Sequence, residues 1–192
     1  MTESISANEN HTVAEVEVVF SADEIATRLQ SLAVEISNRK LDNLMVIAVL
    51  KGSFVFAADL IRALYSVGIE PEVDFITLSS YRKSRTSSGT VDILRDVELD
   101  VRGRNVLIVD DVLDSGRTLA FAKDLLTARG ARSIHTCVLL EKLIPRAVQI
   151  DVDFRAFQCE NEFVVGYGMD LAHRYRELPF VARMAGSSQE DR

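Results

Sequence analysis

Two adjacent carboxylates, Asp110 and Asp111, lie in the segment best suited to chemistry, VLIVDDVLDSGRTL at residues 106–119. The apolar residues before them predict a buried strand over 106–109, which would place both acids at the end of the strand. Adjacent carboxylates repel a bound anion unless they accept hydrogen bonds from hydroxyl groups or hold a divalent cation. A sugar phosphate with vicinal hydroxyl groups, together with Mg²⁺, would satisfy both conditions. The alternative, an acidic strand end that caps a helix, does not explain three acids around one loop of small residues.

The loop that follows, residues 112–116, predicts a phosphate site. It leads into a helix that we expect to begin near Arg117. Small residues in the loop allow the backbone to approach a ligand closely, and the amide groups at the start of a helix favour an anion. We therefore expect a phosphate at residues 114–118, with the hydroxyl groups of Ser115 and Thr118 as additional donors. Neither GxxxxGK[ST] nor GxGxxG occurs, which argues against a P-loop and against a dinucleotide-binding fingerprint.

The elements that must position these groups alternate between strands and helices. Apolar runs predict strands at residues 44–50, 72–78, 106–109 and 133–140, with shorter ones at 154–157 and 163–165. Helices are predicted from a capping box of Ser21 and Glu24 to about Asn38, over 54–66 and over 117–129. This alternation predicts an α/β fold, an open and mainly parallel sheet with helices on both faces. Because ligands bind at the carboxyl ends of such strands, one edge should collect four strand endings: Lys51-Gly52, Ser79-Ser80-Tyr81, Asp110-Asp111 and Glu141-Lys142.

Composition narrows the class of protein. The chain has 192 residues, 22 Lys plus Arg against 29 Asp plus Glu, and a net charge of −7, which disfavours nucleic-acid binding. It has no apolar run of the roughly 18 residues that span a bilayer and no secretory-signal pattern at its start. Cys137 and Cys159 lack the spacing of metal ligands, so we expect neither a disulfide framework nor a zinc site. We expect both residues to be buried thiols and the protein to be cytoplasmic. One domain is expected over 13–183, between a disordered tail at 1–12 and a polar tail at 184–192.

Four motifs in the sequence together resemble one enzyme family. The segment at 106–119 resembles the phosphoribosyl pyrophosphate signature of the type I phosphoribosyltransferases. LKGS at 50–53, Ser80-Tyr81 before a polar loop and FVVGYGMD at 163–170 are similar to the hypoxanthine (hypoxanthine-guanine) branch of that family. The resemblance runs from about Val13 to Val181. It implies the type I phosphoribosyltransferase fold, with a small hood formed by the N- and C-terminal segments.

The resemblance implies a reaction in which a 6-oxopurine displaces pyrophosphate from phosphoribosyl pyrophosphate to give a nucleoside 5′-monophosphate. The transition state would resemble an oxocarbenium ion, so catalysis would depend on positioning and electrostatics. Asp114 would be the catalytic residue, the acceptor of the proton at purine N7. Asp110 and Asp111 would bind the ribose hydroxyl groups and Mg²⁺. The 5′-phosphate would be held by the loop and the first helical turn, that is by Asp114, Ser115, Gly116, Arg117 and Thr118.

The same resemblance assigns the remaining contacts of the sugar phosphate and the base. Lys51 and Gly52 would bind pyrophosphate at a turn where the family has a non-proline cis peptide, here between Leu50 and Lys51. Arg176 would contact pyrophosphate as well. Lys142 would donate to the purine O6 and so exclude adenine, because an ammonium group accepts no hydrogen bond from an exocyclic amine.

The base would also contact the segment at 163–170. By the resemblance, Phe163 stacks on the purine, the Val164 backbone meets its 2-position, and Asp170 lies near the base and a second Mg²⁺. The polar stretch at 79–90, by its composition a mobile surface loop, would be a lid whose Ser80 and Tyr81 close over the substrates and exclude water.

These expectations together describe a purine-salvage enzyme that converts hypoxanthine and guanine to IMP and GMP. Its partners would be the purine base and phosphoribosyl pyrophosphate, with no nucleic acid and no membrane, and relatives suggest a homodimer or homotetramer. Two alternatives stay open. One is a regulator that senses phosphoribosyl pyrophosphate and binds nucleic acid, and the other is a phosphoribosyltransferase that prefers xanthine.

Overall fold

The computed structural model describes residues 16–80 and 91–184. These residues form nine strands and three helices. The strands are β1 (Val16–Phe20), β2 (Leu44–Leu50), β3 (Glu72–Ser80), β4 (Val91–Arg95), β5 (Asn105–Leu113), β6 (Ser133–Lys142), β7 (Phe154–Cys159), β8 (Val164–Val165) and β9 (Val181–Met184). The helices are α1 (Ala22–Ser37), α2 (Phe54–Ser66) and α3 (Arg117–Ala128). Within the described ranges, no helix combines the length and the apolar character that crossing a bilayer requires.

The main sheet has the strand order β4-β3-β2-β5-β6-β7. All neighbours in it are parallel except β3 and β4, which are antiparallel. The central strands are continuous apolar runs because helices cover both faces of the sheet. The helices α1 and α2 pack with one cluster of core side chains, and α3 packs with the other. The predicted fold class is therefore confirmed.

A second, smaller sheet joins the two ends of the described chain. Its order is β1-β9-β8, and both of its pairings are antiparallel. This sheet corresponds to the expected hood, and it places β8 and the residues after it beside the carboxyl ends of the main sheet's strands. None of β1, β4 and β9 was predicted.

The predicted helices and the long strands are confirmed, with small changes at their ends. Ser21 and Glu24 form the predicted capping box, in which the Glu24 amide donates to Ser21 Oγ (3.3 Å) and the Ser21 amide donates to Glu24 Oε2 (2.8 Å). Cys137 and Cys159 are buried and free, as expected. Met184, predicted to begin the C-terminal tail, belongs to β9. The other tail residues, 1–12 and 185–192, lie outside the described residues.

The most consequential difference concerns β5. It continues to Leu113, whereas the sequence predicted an end at residue 109. Its backbone keeps pairing with β6 as far as Leu113 and Glu141, so Asp110 and Asp111 lie within the strand and not after it. The loop before α3 is correspondingly shorter and begins at Asp114. Similarly, β3, β6 and β7 are longer than predicted, and the strand predicted at 163–165 contains only its last two residues.

Candidate active site

The paired carboxylates of β5 form the base of the site. Asp110 is buried and Asp111 is partly buried, and the Asp111 amide donates to Asp110 Oδ1 (3.0 Å). Burial raises the pKa of Asp110 well above its ordinary value, and the carboxylate of Asp111 raises it further. Burial also raises the pKa of Asp111, although hydrogen bonds and the charge of Arg176 oppose it. Two negative charges here are costly until a cation or donor groups compensate them.

The turn after β2 lies directly against this pair. A Cβ atom added at Gly52 would lie 1.7 Å from Asp111 Oδ2, so only glycine permits this approach. The peptide bond between Leu50 and Lys51 is cis, as the resemblance implied, and the Lys51 side chain is exposed. The buried Ser53 hydroxyl donates to the Val49 carbonyl (2.6 Å) and closes the turn before α2.

The loop at residues 114–116 leads into α3 as predicted. Gly116 is the N-cap, has a φ of +79°, and makes no side-chain capping bond to the first turn. A Cβ atom at this position would lie 2.4 Å from the Val148 carbonyl oxygen. The Val148 amide in turn donates to the Ser115 carbonyl (3.1 Å). The segment after β6 thus packs against the loop and supports it. The amide groups at the start of α3 have no N-cap side chain as acceptor, and this arrangement suits a bound anion.

The Lys142 side chain meets Asp114, the first residue of this loop. Their Nζ and Oδ2 atoms are 3.4 Å apart, although the residues lie 28 positions apart in the chain. Lys142 is buried, while Asp114 is partly exposed. This arrangement places one cationic donor and one anionic acceptor side by side, at the spacing that complementary polar groups of one flat ligand would need.

Beside this pair lies the segment that begins at Phe163. Phe163 is 46% exposed, whereas Val164 in β8 is buried. Farther along, Asp170 Oδ1 accepts from Arg176 Nη2 (2.6 Å), and its Oδ2 accepts from the His173 amide (2.8 Å). Arg176 also donates to the Gly168 carbonyl (2.6 Å). An exposed aromatic ring and a carboxylate held by Arg176 and the His173 amide therefore form the other wall of the site.

A cleft of about 270 Å³ connects these groups. Ten predicted site residues line it: Asp110, Asp111, Asp114, Ser115, Gly116, Thr118, Lys142, Phe163, Val164 and Asp170. Four further lining residues were not predicted: Val112, Leu113, Leu119 and Met169. The first two were assigned to a loop because the extension of β5 was missed. Met169 could have been found, since it precedes Asp170 in the motif that carried the resemblance.

Among the predicted residues whose side chains the structure describes, four do not line this cleft, namely Lys51, Gly52, Arg117 and Arg176. Gly52 nevertheless touches Asp111, and Arg176 pairs with Asp170. Arg117 is the first residue of α3, and Ser80 ends β3, where its backbone pairs with Val91. Tyr81 and the rest of the predicted lid, residues 81–90, lie outside the described residues.

Comparison with known proteins shows the family to which this chain belongs. A model of the phosphoribosyl transferase domain matches residues 15–171. The chain belongs to this family. It is 41% identical to a hypoxanthine phosphoribosyltransferase of Escherichia coli (strain K12), in an alignment over 172 residues that covers 88% of this chain and 95% of the relative. A hypoxanthine-guanine phosphoribosyltransferase of Dictyostelium discoideum is 38% identical over 170 residues, 88% of this chain and 94% of the relative.

Solved structures of phosphoribosyltransferases share the fold of this one. The hypoxanthine phosphoribosyltransferase of Trypanosoma cruzi in complex with the product IMP superimposes with a TM-score of 0.83 at 35% identity, covering 93% of this chain and 98% of that one. A hypoxanthine-guanine phosphoribosyltransferase of Bacillus anthracis with HEPES in its active site gives a TM-score of 0.81 at 39% identity, covering 88% and 99%.

The donor groups of this phosphoribosyltransferase suit Mg²⁺ unequally. In residues 16–80 and 91–184, no cluster of three or more His, Cys, Asp or Glu is placed to hold a metal ion alone. Mg²⁺, however, commonly takes one or two carboxylates and completes its shell with water and substrate phosphates. Asp110 and Asp111 fit that mode, because they offer hard oxygen ligands on two adjacent side chains that line the cleft. Asp170 fits it less well, since Arg176 and the His173 amide already engage its two oxygens.

Proposed function

We propose that this chain is a hypoxanthine phosphoribosyltransferase of purine salvage. It joins hypoxanthine, and guanine as a second substrate, to the ribose of phosphoribosyl pyrophosphate and releases pyrophosphate. The observation that carries the proposal is the Lys142–Asp114 pair. Its Nζ and Oδ2 atoms are 3.4 Å apart, and both residues line the cleft that Asp110 and Asp111 also line. The family membership and the names of the relatives support it.

The pair accounts for the choice of base. Asp114 accepts the proton at purine N7 while N9 forms the new bond to the ribose, and Lys142 donates to O6. Adenine carries an amine at the 6-position, which offers Lys142 no acceptor. Phe163 supplies an exposed ring for stacking, and the backbone of Val164 meets the 2-position, which distinguishes hypoxanthine, guanine and xanthine.

The sugar phosphate is held at its 5′-phosphate and at its pyrophosphate. The amide groups of the loop and of the first turn of α3 hold the 5′-phosphate, together with Ser115, Arg117 and Thr118. Lys51, Gly52 and Arg176 hold the pyrophosphate, which is the leaving group. Because little covalent chemistry is required, the residues act by fixing the ribose C1′ and the base at reacting distance.

Asp110 and Asp111 are the residues that would hold Mg²⁺, and they also accept hydrogen bonds from the ribose hydroxyl groups. Such an ion would supply positive charge that compensates the negative charge of the pyrophosphate leaving group. Asp170 would serve a second ion only if its pairing with Arg176 were loosened.

The proposal is tested by measuring formation of IMP from hypoxanthine and phosphoribosyl pyrophosphate, with and without Mg²⁺. Guanine, xanthine and adenine are compared under the same conditions. Turnover should need the ion and should fail with adenine. Turnover of xanthine in preference to both other oxopurines, or salt-sensitive binding to nucleic acid without turnover of any base, would contradict the proposal.

The role of Asp114 is tested by Asp114→Asn, which keeps the shape of the side chain but removes the proton acceptor. We expect turnover to fall by about 10²- to 10⁴-fold, the usual contribution of a general acid–base group. Asp124→Asn on α3 makes the same change at an exposed position and should leave turnover unaltered. If Asp114→Asn retains normal turnover, the assignment of the proton acceptor is wrong.

We also propose that the enzyme is a homodimer or homotetramer of the cytoplasm. A groove of about 860 Å³, lined largely by apolar side chains, runs between α1, α2 and residues 176–179, and a second copy would cover it. The two free, buried thiols are compatible with a reducing compartment. Light scattering at micromolar concentration should give at least twice the mass of the chain, and a monomer would contradict this part of the proposal.

A further inference from the structure

Residues 166–178, here named the Asp170 loop, follow β8, and the two ends of the loop lie close together. The Tyr167 amide donates to the Leu178 carbonyl (2.8 Å), and isolated bridges join Gly166 to Met169 and Leu171 to Arg174. Four residues of the loop that are not glycine have positive φ angles: Tyr167, Ala172, His173 and Tyr175. Such conformations are unfavourable and persist only where the surroundings hold them. The loop that carries Asp170 and Arg176 therefore depends on anchors to the rest of the chain.

One anchor is a partly buried hydrogen bond to α2. The Tyr167 hydroxyl donates to Asp59 Oδ2 at 2.5 Å, although the two residues are 108 positions apart in the chain. Tyr167 is 5% exposed, and burial together with the Asp59 carboxylate raises the pKa of its phenol. The hydroxyl therefore keeps its proton and acts as the donor. Arg62, one turn farther along α2, pairs with the other oxygen of Asp59.

A second anchor is a backbone contact with the turn after β2. A Cβ atom at Gly168 would lie 2.4 Å from the Gly52 carbonyl oxygen and 3.4 Å from the ring of Phe54. Phe54 is the first residue of α2, and Asp59 lies in the second turn of the same helix. The hydrogen bond and the backbone contact thus both connect the Asp170 loop to one unit, which consists of the turn after β2 and the helix α2 that follows it.

We propose that Tyr167 is a positioning residue whose hydrogen bond to Asp59 sets the distance between the Lys51–Gly52 turn and Arg176. This inference rests on the proposed function, because that function assigns the turn and Arg176 to the pyrophosphate. Both sides of the leaving group then depend on a bond that touches no substrate. The base is bound elsewhere, by Lys142 and Phe163. The hydrogen bond between Tyr167 and Asp59 should therefore affect the KM for phosphoribosyl pyrophosphate and not the KM for hypoxanthine.

The test compares steady-state kinetics of the wild type, Tyr167→Phe and Asp59→Ala. Losing a hydrogen bond to a charged group should raise the KM for phosphoribosyl pyrophosphate by about tenfold in each variant. The KM for hypoxanthine should stay within about twofold, because the base contacts are unchanged. The double variant should be no worse than the single ones, since both remove the same bond. Asp59→Asn keeps an acceptor oxygen and should restore most of the affinity.

Matched controls are Tyr65→Phe, which removes an exposed hydroxyl from α2, and Asp124→Ala, which removes an exposed carboxylate from α3. Neither should change any KM. A purely structural role would lower the thermal midpoint of Tyr167→Phe and Asp59→Ala but leave both KM values alone, and that result would overturn the inference. So would equal increases in both KM values.

Failure of the proposed function gives a different result. Calorimetric titration of the wild type with phosphoribosyl pyrophosphate and Mg²⁺ should show binding without any base present. Absence of both binding and IMP formation in the wild type would overturn the proposed function and this inference with it. An active wild type whose Tyr167→Phe variant binds phosphoribosyl pyrophosphate equally well would overturn the inference alone.

Discussion

At the scale of single residues, Gly52 allows two functional groups to come into contact. Its φ lies outside the left-handed region, so the requirement for glycine is steric: an added Cβ would lie 1.7 Å from Asp111 Oδ2. The Asp111 carboxylate is partly buried at the base of the cleft, which leaves it little freedom to move aside. A methyl group at this position must therefore displace either the turn or the acid.

We expect Gly52→Ala to lower kcat/KM for phosphoribosyl pyrophosphate by about 10²-fold, because displacement by roughly 1 Å is enough to misplace reacting groups to that extent. Steady-state kinetics with varied phosphoribosyl pyrophosphate measure the effect. Gly68→Ala is the control: Gly68 has a φ of +81° but an added Cβ there meets no atom within 4 Å. That variant should lose some stability through backbone strain and keep its kinetics. Unchanged kinetics in Gly52→Ala would show that the contact with Asp111 is dispensable.

At the scale of elements, the sequence predicts what is periodic and local. The apolar run of β2 and the capping box of α1 are complete within a few residues, and both elements were predicted. The strands β1, β4 and β9 are short, and two of them pair with each other from opposite ends of the described chain. The extension of β5 through its two acids depends on β6. Pairings of this kind are decided by distant residues, which a local pattern does not contain.

The site follows the same division. The phosphate loop is one continuous segment, so its chemistry was visible in the sequence before any resemblance was considered. Lys142 and Phe163 gained their roles only through the resemblance, because a lysine after a strand and an aromatic in an apolar run are commonplace. The bond between Tyr167 and Asp59 was not predicted, since it joins a strained loop to a helix 108 positions away.

Gly116 tests whether the start of α3 is shaped by the segment behind it. Its φ is +79°, and an added Cβ would lie 2.4 Å from the Val148 carbonyl oxygen. Gly116→Ala should therefore cost about 1–3 kcal/mol of unfolding free energy and raise the KM for phosphoribosyl pyrophosphate, because the loop must move. Urea denaturation and kinetics measure the two effects. Gly103→Ala, with a φ of +72° and open space around it, should change stability only. If the two variants behave alike, contact with Val148 does not shape the phosphate loop.

At the scale of the whole molecule, one buried acid joins three parts of the chain near the site. Glu141 in β6 is 7% exposed and pairs with Arg155 of β7 and with Arg146 of the intervening segment. Gln158 donates to the same carboxylate (3.2 Å). Burial by itself would raise the pKa of Glu141, but the hydrogen bonds from Arg155, Arg146 and Gln158 outweigh it, and the pKa is lowered from 4.5.

A carboxylate whose pKa is lower in the folded state stabilises the fold above its unfolded pKa and loses that contribution as the pH falls through the folded value. Glu141→Gln removes the charge and should cost about 2 kcal/mol at pH 7, the effect of breaking charged hydrogen bonds. The difference from the wild type should shrink as the pH falls below 4.5, the ordinary pKa of glutamate. Urea denaturation between pH 7 and pH 3 measures it, and Glu70→Gln at an exposed position is the control. A difference that is constant over this range would show that the charge of Glu141 does not hold these three segments together.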